Sequence, residues 1–291
     1  IVSSNILKMS FAGEYVYVGT YDKGVWRINL NNNSHECIIK SLQATDIFED
    51  SKGNVWICTM QGGLYLFGAD GVNRVFTHDV NNPSGITSDF IRCCCEDDSG
   101  RLWIGTDVGL SCYDPEADKF MNYNSNPSSG ITHPSVWCSV KDAQGNIWIG
   151  TYYGGVNYFN PEHEVYKTYS RSDSKGRALS NNVVGPMIED KHGILWIATE
   201  GGGLNRLDRS TGKIEYVTTL NSNLSSDNIQ SLYYDESKDI IWIGTHLRDL
   251  NRLDIKTGKV KSYNDRRAKY SSQARTIKDI EPCGDLLLLA T

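Results

Sequence analysis

One five-residue step recurs seven times along this chain, and it constrains the fold more than any other feature. It reads Val16-Tyr17-Val18-Gly19-Thr20, Val55-Trp56-Ile57-Cys58-Thr59, Leu102-Trp103-Ile104-Gly105-Thr106, Ile147-Trp148-Ile149-Gly150-Thr151, Leu195-Trp196-Ile197-Ala198-Thr199, Ile241-Trp242-Ile243-Gly244-Thr245 and Leu287-Leu288-Leu289-Ala290-Thr291. The closing threonines are spaced by 39, 47, 45, 48, 46 and 46 residues. A period of about 45 residues matches a four-stranded propeller blade. The predicted fold class is therefore all-β: a β-propeller of four-stranded antiparallel blades, with seven repeats, six complete and the last incomplete.

The unit from Ile91 to Tyr123 shows the pattern most clearly. Ile91 to Cys95 reads as a first strand, and Asp97-Asp98-Ser99-Gly100 as a hairpin turn with Gly where positive φ is needed. Leu102-Trp103-Ile104 opens the second strand, Leu110 to Tyr113 is the third, and Phe120 to Tyr123 is the fourth. Helical periodicity is absent. The 27 glycines, 7 Trp, 16 Tyr and 7 Phe suit a chain of many turns and large flat side chains. Stacked blades need such a side chain at each interface, so Trp56, Trp103, Trp148, Trp196 and Trp242 are expected in the core, with Tyr17 and Leu288 in the same slot. The small residues after them, Gly105, Gly150, Ala198 and Gly244, let strands approach closely. The acidic turns Glu49 to Gly53, Glu96 to Gly100 and Glu189 to Gly193 lack an EF-hand's alternating ligands and read as turn formers rather than calcium loops.

The predicted blade units are about 1–44, 45–89, 90–135, 136–182, 183–227 and 228–275, with a partial unit 276–291. They form a single propeller segment. Ile1 to Ile6 aligns with Ile86 to Ile91, so the chain is expected to start in an inter-blade linker and to have been excised from a longer repeat protein. Unpaired strand edges at its two ends are an association liability.

Composition narrows the function. With 39% hydrophobic residues there is material for a large core, and a net charge of −6 argues against a nucleic-acid binder. No apolar run approaches the ~18 residues of a membrane span, so no membrane contact is expected of this segment. The eight cysteines form no C-x-x-C pair and read as small buried hydrophobes in strands.

The pattern E-D-x-x-G-x-[IL]-W-I-G-T-x-x-G-G-[LV]-x-x-[FL]-[DN] resembles the bacterial two-component regulator propeller repeat. Glu189 to Asp208 carries it best, with Ala198 for the usual Gly, and Asp142 to Asn160 follows. WD40 and quinoprotein patterns fit less well. The resemblance implies the extracytoplasmic sensor of a hybrid two-component system, typically two seven-bladed rings joined to a β-sandwich, a membrane helix and cytoplasmic histidine kinase and regulator modules. Many such sensors detect oligosaccharides. On that reading this segment is periplasmic and non-catalytic, needs no cofactor, binds an oligosaccharide or other small ligand, and belongs to a receptor that works as a homodimer.

Ligand contacts are sought in the second-to-third-strand turns and the inter-blade linkers. His246-Leu247-Arg248-Asp249 replaces the glycine-rich turn of Glu200-Gly201-Gly202-Gly203, and breaking a local rule often marks function. His246 and Arg248 are therefore either ligand contacts or solvated loop residues. Tyr152 and Tyr153 occupy the same turn in the fourth unit and suit the apolar face of a sugar. Met60 with Gln61, Tyr21 with Lys23, Asp107 and Glu200 hold equivalent places. In the linkers, His133 stands out. Trp137 lies in a first strand where other units carry small aliphatics, and it either lines the channel or fills it. Arg275 and Asn181 are weaker candidates. No G-x-S-x-G is present, and only His133 and His246 of the six histidines map to this face, which disfavours nucleophilic catalysis and a three-His metal site. Two competing readings are a propeller-fold polysaccharide or antibiotic lyase and a protein-interaction scaffold.

Overall fold

The computed structural model describes residues 5–71, 73–124, 130–161, 165–174, 176–246, 250–263 and 276–291. Every regular element among them is a β-strand. The chain divides into two compact units, Ile1–Thr168 and Tyr169–Thr291. In the first, β1 (Ile6–Ala12), β2 (Tyr15–Thr20), β3 (Val25–Asn29) and β4 (His35–Ile39) form one blade, and β5 (Ala44–Glu49), β6 (Val55–Thr59), β7 (Leu64–Phe67) and β8 (Asn73–Phe76) the next. The third comprises β9 (Ile91–Glu96), β10 (Leu102–Thr106), β11 (Leu110–Asp114) and β12 (Lys119–Tyr123). The fourth comprises β13 (Val136–Lys141), β14 (Ile147–Thr151), β15 (Val156–Asn160) and β16 (Val165–Tyr169), which ends at the unit boundary.

The second unit holds a fifth blade, β17 (Val184–Glu189), β18 (Ile194–Thr199), β19 (Gly203–Asp208) and β20 (Lys213–Val217). The sixth follows as β21 (Ile229–Asp235), β22 (Ile240–Thr245), β23 (Leu250–Asp254) and β24 (Val260–Tyr263). A two-stranded sheet, β25 (Asp279–Cys283) and β26 (Leu286–Ala290), is the partial seventh repeat. Each sheet is an antiparallel meander of sequential strands, so the fold is the all-β propeller of six complete blades and one half that the repeat predicts.

Within each unit, buried indoles wedge a blade against the one that follows it. Trp56 packs with Ile91, Ile104 and Tyr113 of the third blade, Trp103 with Val136, Ile149 and Phe159 of the fourth, and Trp196 with Ile229, Ile241 and Ile243 of the sixth. Trp148 is equally buried. Two members of the expected series depart from it. Trp242 and Leu288 are only half-buried. Among the described residues the sheet that follows Trp242 has two strands, and this indole is less covered than those of the earlier blades.

The acidic turns do more than turn the chain. Asp50, Asp97, Asp142 and Asp190 each accept a hydrogen bond from the indole Nε1 six residues on, at 2.8, 2.9, 2.7 and 2.8 Å. The same carboxylates accept backbone N–H groups of their own turns, at 2.8 to 3.1 Å for the residue four further on. One side chain thus closes the hairpin and holds the core tryptophan in place.

The threonine that ends each second strand has a comparable task. In the first four blades its Oγ1 donates to the carbonyl of Gly24, Gly63, Gly109 and Gly155, at 2.7 to 2.9 Å, closing the second-to-third turn. The small residue after the indole is needed for space. A Cβ on Gly105 would lie 2.5 Å from Cys93 Sγ and 2.6 Å from Val136, and one on Gly244 2.2 Å from Ser231 Oγ.

Five of the eight cysteines are buried in strands, as expected. Cys37 and Cys138 are half-buried and Cys283 is exposed.

Candidate ligand-binding site

The site begins with a backbone irregularity. In β9 the register steps from Ile91↔Thr106 to Cys93↔Gly105, leaving Arg92 without a partner. In β13 it steps from Val136↔Thr151 to Cys138↔Gly150, leaving Trp137 without one. These are β-bulges, which re-aim a side chain out of the strand's alternation. The second blade carries the same step at Thr45 and the sixth at Gln230. The residues at this step are therefore Leu7, Thr45, Arg92, Trp137 and Gln230, mostly polar rather than the small aliphatics expected beside Trp137 from sequence.

The bulged residues of the third and fourth blades meet. The Arg92 guanidinium lies over the Trp137 ring at 4.7 Å and over the Phe90 ring at 4.6 Å. Trp137 stacks on Tyr152 with centroids 5.0 Å apart and planes at 16°, and Tyr153 meets Tyr152 edge-on at 4.2 Å. Phe90, Arg92, Trp137, Tyr152 and Tyr153 thus form a continuous ladder of aromatic and cation–π contacts, all within the first unit. His133 flanks its end, 6.4 Å from Tyr152 and 6.0 Å from Tyr153.

Local hydrogen bonds set this geometry. Tyr152 N–H donates to Ser135 O at 3.0 Å, and Thr132 Oγ1 donates to Gly154 O at 2.9 Å, so the linker is tied to the turn that bears the tyrosines. Ser135 N–H donates to His133 Nδ1 at 3.1 Å. The neutral imidazole therefore keeps its proton on Nε2, free to donate. Asn181 fills the corresponding linker place in the second unit: its Oδ1 accepts Val183 N–H at 3.1 Å and its Nδ2 donates to Glu200 O at 2.7 Å.

The ladder carries unspent polar capacity. Arg92 Nε and Asp107 Oδ1 are buried and make no hydrogen bond among the described residues. Burial pushes the Arg92 guanidinium below its ordinary pKa, and the Asp107 carboxylate opposes that shift. Buried donors and acceptors are normally paired, so each of these unpaired atoms is a place where a ligand group has a partner waiting. A hydroxyl, which both accepts and donates, can pair with either. Tyr153, 59% exposed, and Trp137, 38% exposed, offer apolar surface next to them.

The structure thus brings together four of the residues expected from sequence: His133, Trp137, Tyr152 and Tyr153; Asp107 acts electrostatically on Arg92. Arg92 and Phe90 complete the group and were not expected. Aligning Ile91-Arg92-Cys93 with Val136-Trp137-Cys138 would have found Arg92. Gln61 is exposed on the β6–β7 turn, and none of the contacts among the described residues joins it to the ladder. Met60 and the Tyr21–Lys23 pair also stay apart, and Lys23 pairs with Asp22 at 3.6 Å. Glu200 and His246 are exposed in the second unit, where His246 Nδ1 lies 3.1 Å from Thr276 Oγ1. Arg248 and Arg275, like the first four residues of the chain, lie outside the described residues.

Similarity to known proteins agrees with this architecture. Residues 39–61, 85–108, 130–153 and 178–201 match the two component regulator propeller family, and each match runs from an inter-blade linker or its flank into the second-to-third turn. No curated protein matches the chain in sequence. Among solved structures, the extracellular domain assigned to the hybrid two component system BT3049 of B. thetaiotaomicron is 21% identical, with a TM-score of 0.56 over 98% of this chain and 43% of that one. PorZ, an essential surface component of the type-IX secretion system of Porphyromonas gingivalis, is 15% identical, with a TM-score of 0.70 over 98% of this chain and 45% of that one. A catalytically inactive virginiamycin B lyase from Staphylococcus aureus, solved with quinupristin, is 13% identical, with a TM-score of 0.72 over 98% and 91%. At these identities the likeness shows the fold. The chain spans less than half the length of the first two. Over those four stretches the chain carries two component regulator propeller repeats.

Proposed function

We propose that this chain is the non-catalytic ligand-sensing propeller of an extracytoplasmic sensor in a hybrid two-component system. It detects an oligosaccharide and signals to a cytoplasmic histidine kinase. The observation that carries the reading is the ladder itself: bulges in two neighbouring blades deliver a cation and an indole to one place, beside two tyrosines, and the Asp107 carboxylate acts electrostatically on that cation. Sugars present apolar C–H faces and hydroxyl edges, and the site offers aromatic surface for the first and Arg92, Asp107 and His133 Nε2 for the second. The family of the repeat supports the sensor role.

In this reading the segment lies in the periplasm as part of a longer, homodimeric inner-membrane receptor. No helix of the described residues is long and apolar enough to cross a membrane, so the span lies elsewhere in the receptor. Ligand binding acts by favouring one arrangement of the two protomers. It changes kinase output only by its differential affinity for the two arrangements, typically ~1–3 kcal/mol of coupling.

The test is a thermal-shift and calorimetric screen of the purified chain against neutral and acidic oligosaccharides, with chromatography of each mixture after incubation. The expected result is a stabilising ligand, recovered intact, whose affinity falls about tenfold or more in Tyr153→Ala and Arg92→Gln. A stabiliser bound equally well by both variants would move the site elsewhere. Conversion of the ligand to product would replace the sensor reading with the lyase one, and a silent panel would refute carbohydrate sensing.

A further inference from the structure

A second cluster of chemically capable side chains lies in the first unit and shares no residue with the ladder. Asp46 on β5 and Cys58 on β6 are cross-strand partners, so their side chains share one face of the second blade. Cys94 comes from β9 of the third blade, and its N–H donates to Asp46 Oδ2 at 3.2 Å. One carboxylate oxygen and the two Sγ atoms all lie within 4.8 Å of one another. Among the described residues this is the one group of three metal-ligating side chains so placed.

We infer that Asp46, Cys58 and Cys94 form a binding site for a thiophilic divalent d10 cation, with zinc(II) as the reference ion. Three properties of the cluster lead there. Two sulfur donors exclude calcium and magnesium, which take oxygen ligands, and favour zinc-like ions. Zinc–sulfur bonds of ~2.3 Å and zinc–oxygen bonds of ~2.0–2.2 Å put tetrahedral donors about 3.5–3.8 Å apart. The three atoms therefore close on the ion by moving inward by no more than about an ångström.

Charge selects the divalent ion. Two thiolates and a carboxylate carry three negative charges, and a divalent cation leaves one. The Lys8 ammonium, 3.8 Å from Asp46 Oδ1, cancels it. A monovalent ion would leave a net charge against the buried thiols, which is unfavourable away from water. Cys58 is fully buried and Cys94 nearly so, whereas the side chains of Lys8 and Asp46 keep 26% and 22% of their exposure and mark the side from which an ion enters. Without a metal, burial pushes the Cys58 thiol up, and the hydrogen bond with Cys58 together with burial pushes the Cys94 thiol up; Lys8 pulls both the other way. Cys112, buried in the third blade, has no place in this group.

The experiment uses the full chain, reduced and stripped with a chelator, then titrated anaerobically with Zn2+ against a chromophoric competitor and separately with Co2+. The expected result is one equivalent of zinc bound in competition with the indicator, and a thiolate-to-cobalt charge-transfer band in the cobalt form. Cys94→Ser and Asp46→Asn should each weaken zinc by about tenfold or more, while Cys112→Ser binds as the parent does. The cobalt spectrum of the unmutated chain decides the matter even if Cys94→Ser does not fold. The inference is overturned by no competition for zinc at one equivalent, by a cobalt spectrum without the thiolate band, or by undiminished binding in a folded Cys94→Ser.

Discussion

Replacing Asp142 by Asn changes one atom of the fourth blade and turns an acceptor into a donor where only donors face it. Asp142 Oδ1 accepts from Gln144 N–H at 3.0 Å and Asn146 N–H at 2.9 Å, and Oδ2 accepts from Trp148 Nε1 at 2.7 Å. Asn146 Nδ2 donates to both oxygens at 2.9 Å. An asparagine has one oxygen to offer. Turned toward the backbone, it keeps two N–H partners and sets its own NH2 against the indole N–H; turned the other way, it abandons both backbone groups, so the first orientation is preferred.

The loss is then one charge-assisted hydrogen bond and a buried, unsatisfied indole donor, together ~2–3 kcal/mol, plus about 1 kcal/mol from weakening the bonds that remain. The expected total is ~3–4 kcal/mol. Urea unfolding of the full chain measures it through the midpoint at constant slope. Hydrogen exchange in the β13–β14 hairpin reads the local effect if the blades do not unfold as one unit. Asp98→Asn is the control: Asp98 is 66% exposed and pairs with Lys141 at the surface, a contact worth ~0–1 kcal/mol. In a double-mutant cycle Trp148→Phe removes the donor, so the two substitutions should couple by ~1.5–3 kcal/mol. A cost for Asp142→Asn no larger than for Asp98→Asn, or a coupling below ~0.5 kcal/mol, would refute the reasoning.

Three more outcomes follow from the same geometry. Gly63 has φ +80° and a Cβ there would lie 2.2 Å from Phe76 O, so Gly63→Ala should cost roughly 3 kcal/mol in urea unfolding; a neutral effect would contradict the turn geometry. Trp196→Ala should cost ~3–5 kcal/mol and Trp242→Ala about half as much, because Trp242 is half-buried; equal losses would show that the sixth indole is covered after all. The hydrogen bond from His192, aided by that from Tyr234, holds the Asp239 carboxyl below its ordinary range. Its folded pKa is thus lower than its unfolded one, so its contribution to stability is complete above about pH 5 and is lost as the pH falls below about 4. The difference in urea midpoint between the parent chain and Asp239→Asn should shrink over that window, and a difference independent of pH would exclude the linkage.

Much of the architecture is legible in the chain because each strand announces itself locally. Ile91 to Cys95, Leu102 to Ile104, Leu110 to Tyr113 and Phe120 to Tyr123 lie within one residue or two of the observed strands β9 to β12, since alternation, turn glycines and the indole step all operate within a few residues. The site is less legible. Tyr152, Tyr153, Trp137 and His133 attract notice as departures from the repeat, but Arg92 looks like any polar residue in a half-exposed strand. Its role depends on a bulge, and a bulge is a count of residues against a partner strand rather than a property of the strand's own letters. The acidic turns were read correctly as turns and incompletely as structure, because the indole that each carboxylate holds lies six residues away, on the next strand.

The amino-acid sequence alone determined the number of blades, their four-strand meander and the indole that fills their interfaces, because these follow from periodicity and from apolar side chains that must leave water. Only the tertiary structure decided which polar side chains meet. Arg92 and Trp137 stand 45 positions apart in the chain, and Cys58 and Cys94 stand 36 apart. Each pair becomes neighbours because consecutive blades stack face to face, which no pattern within one blade records.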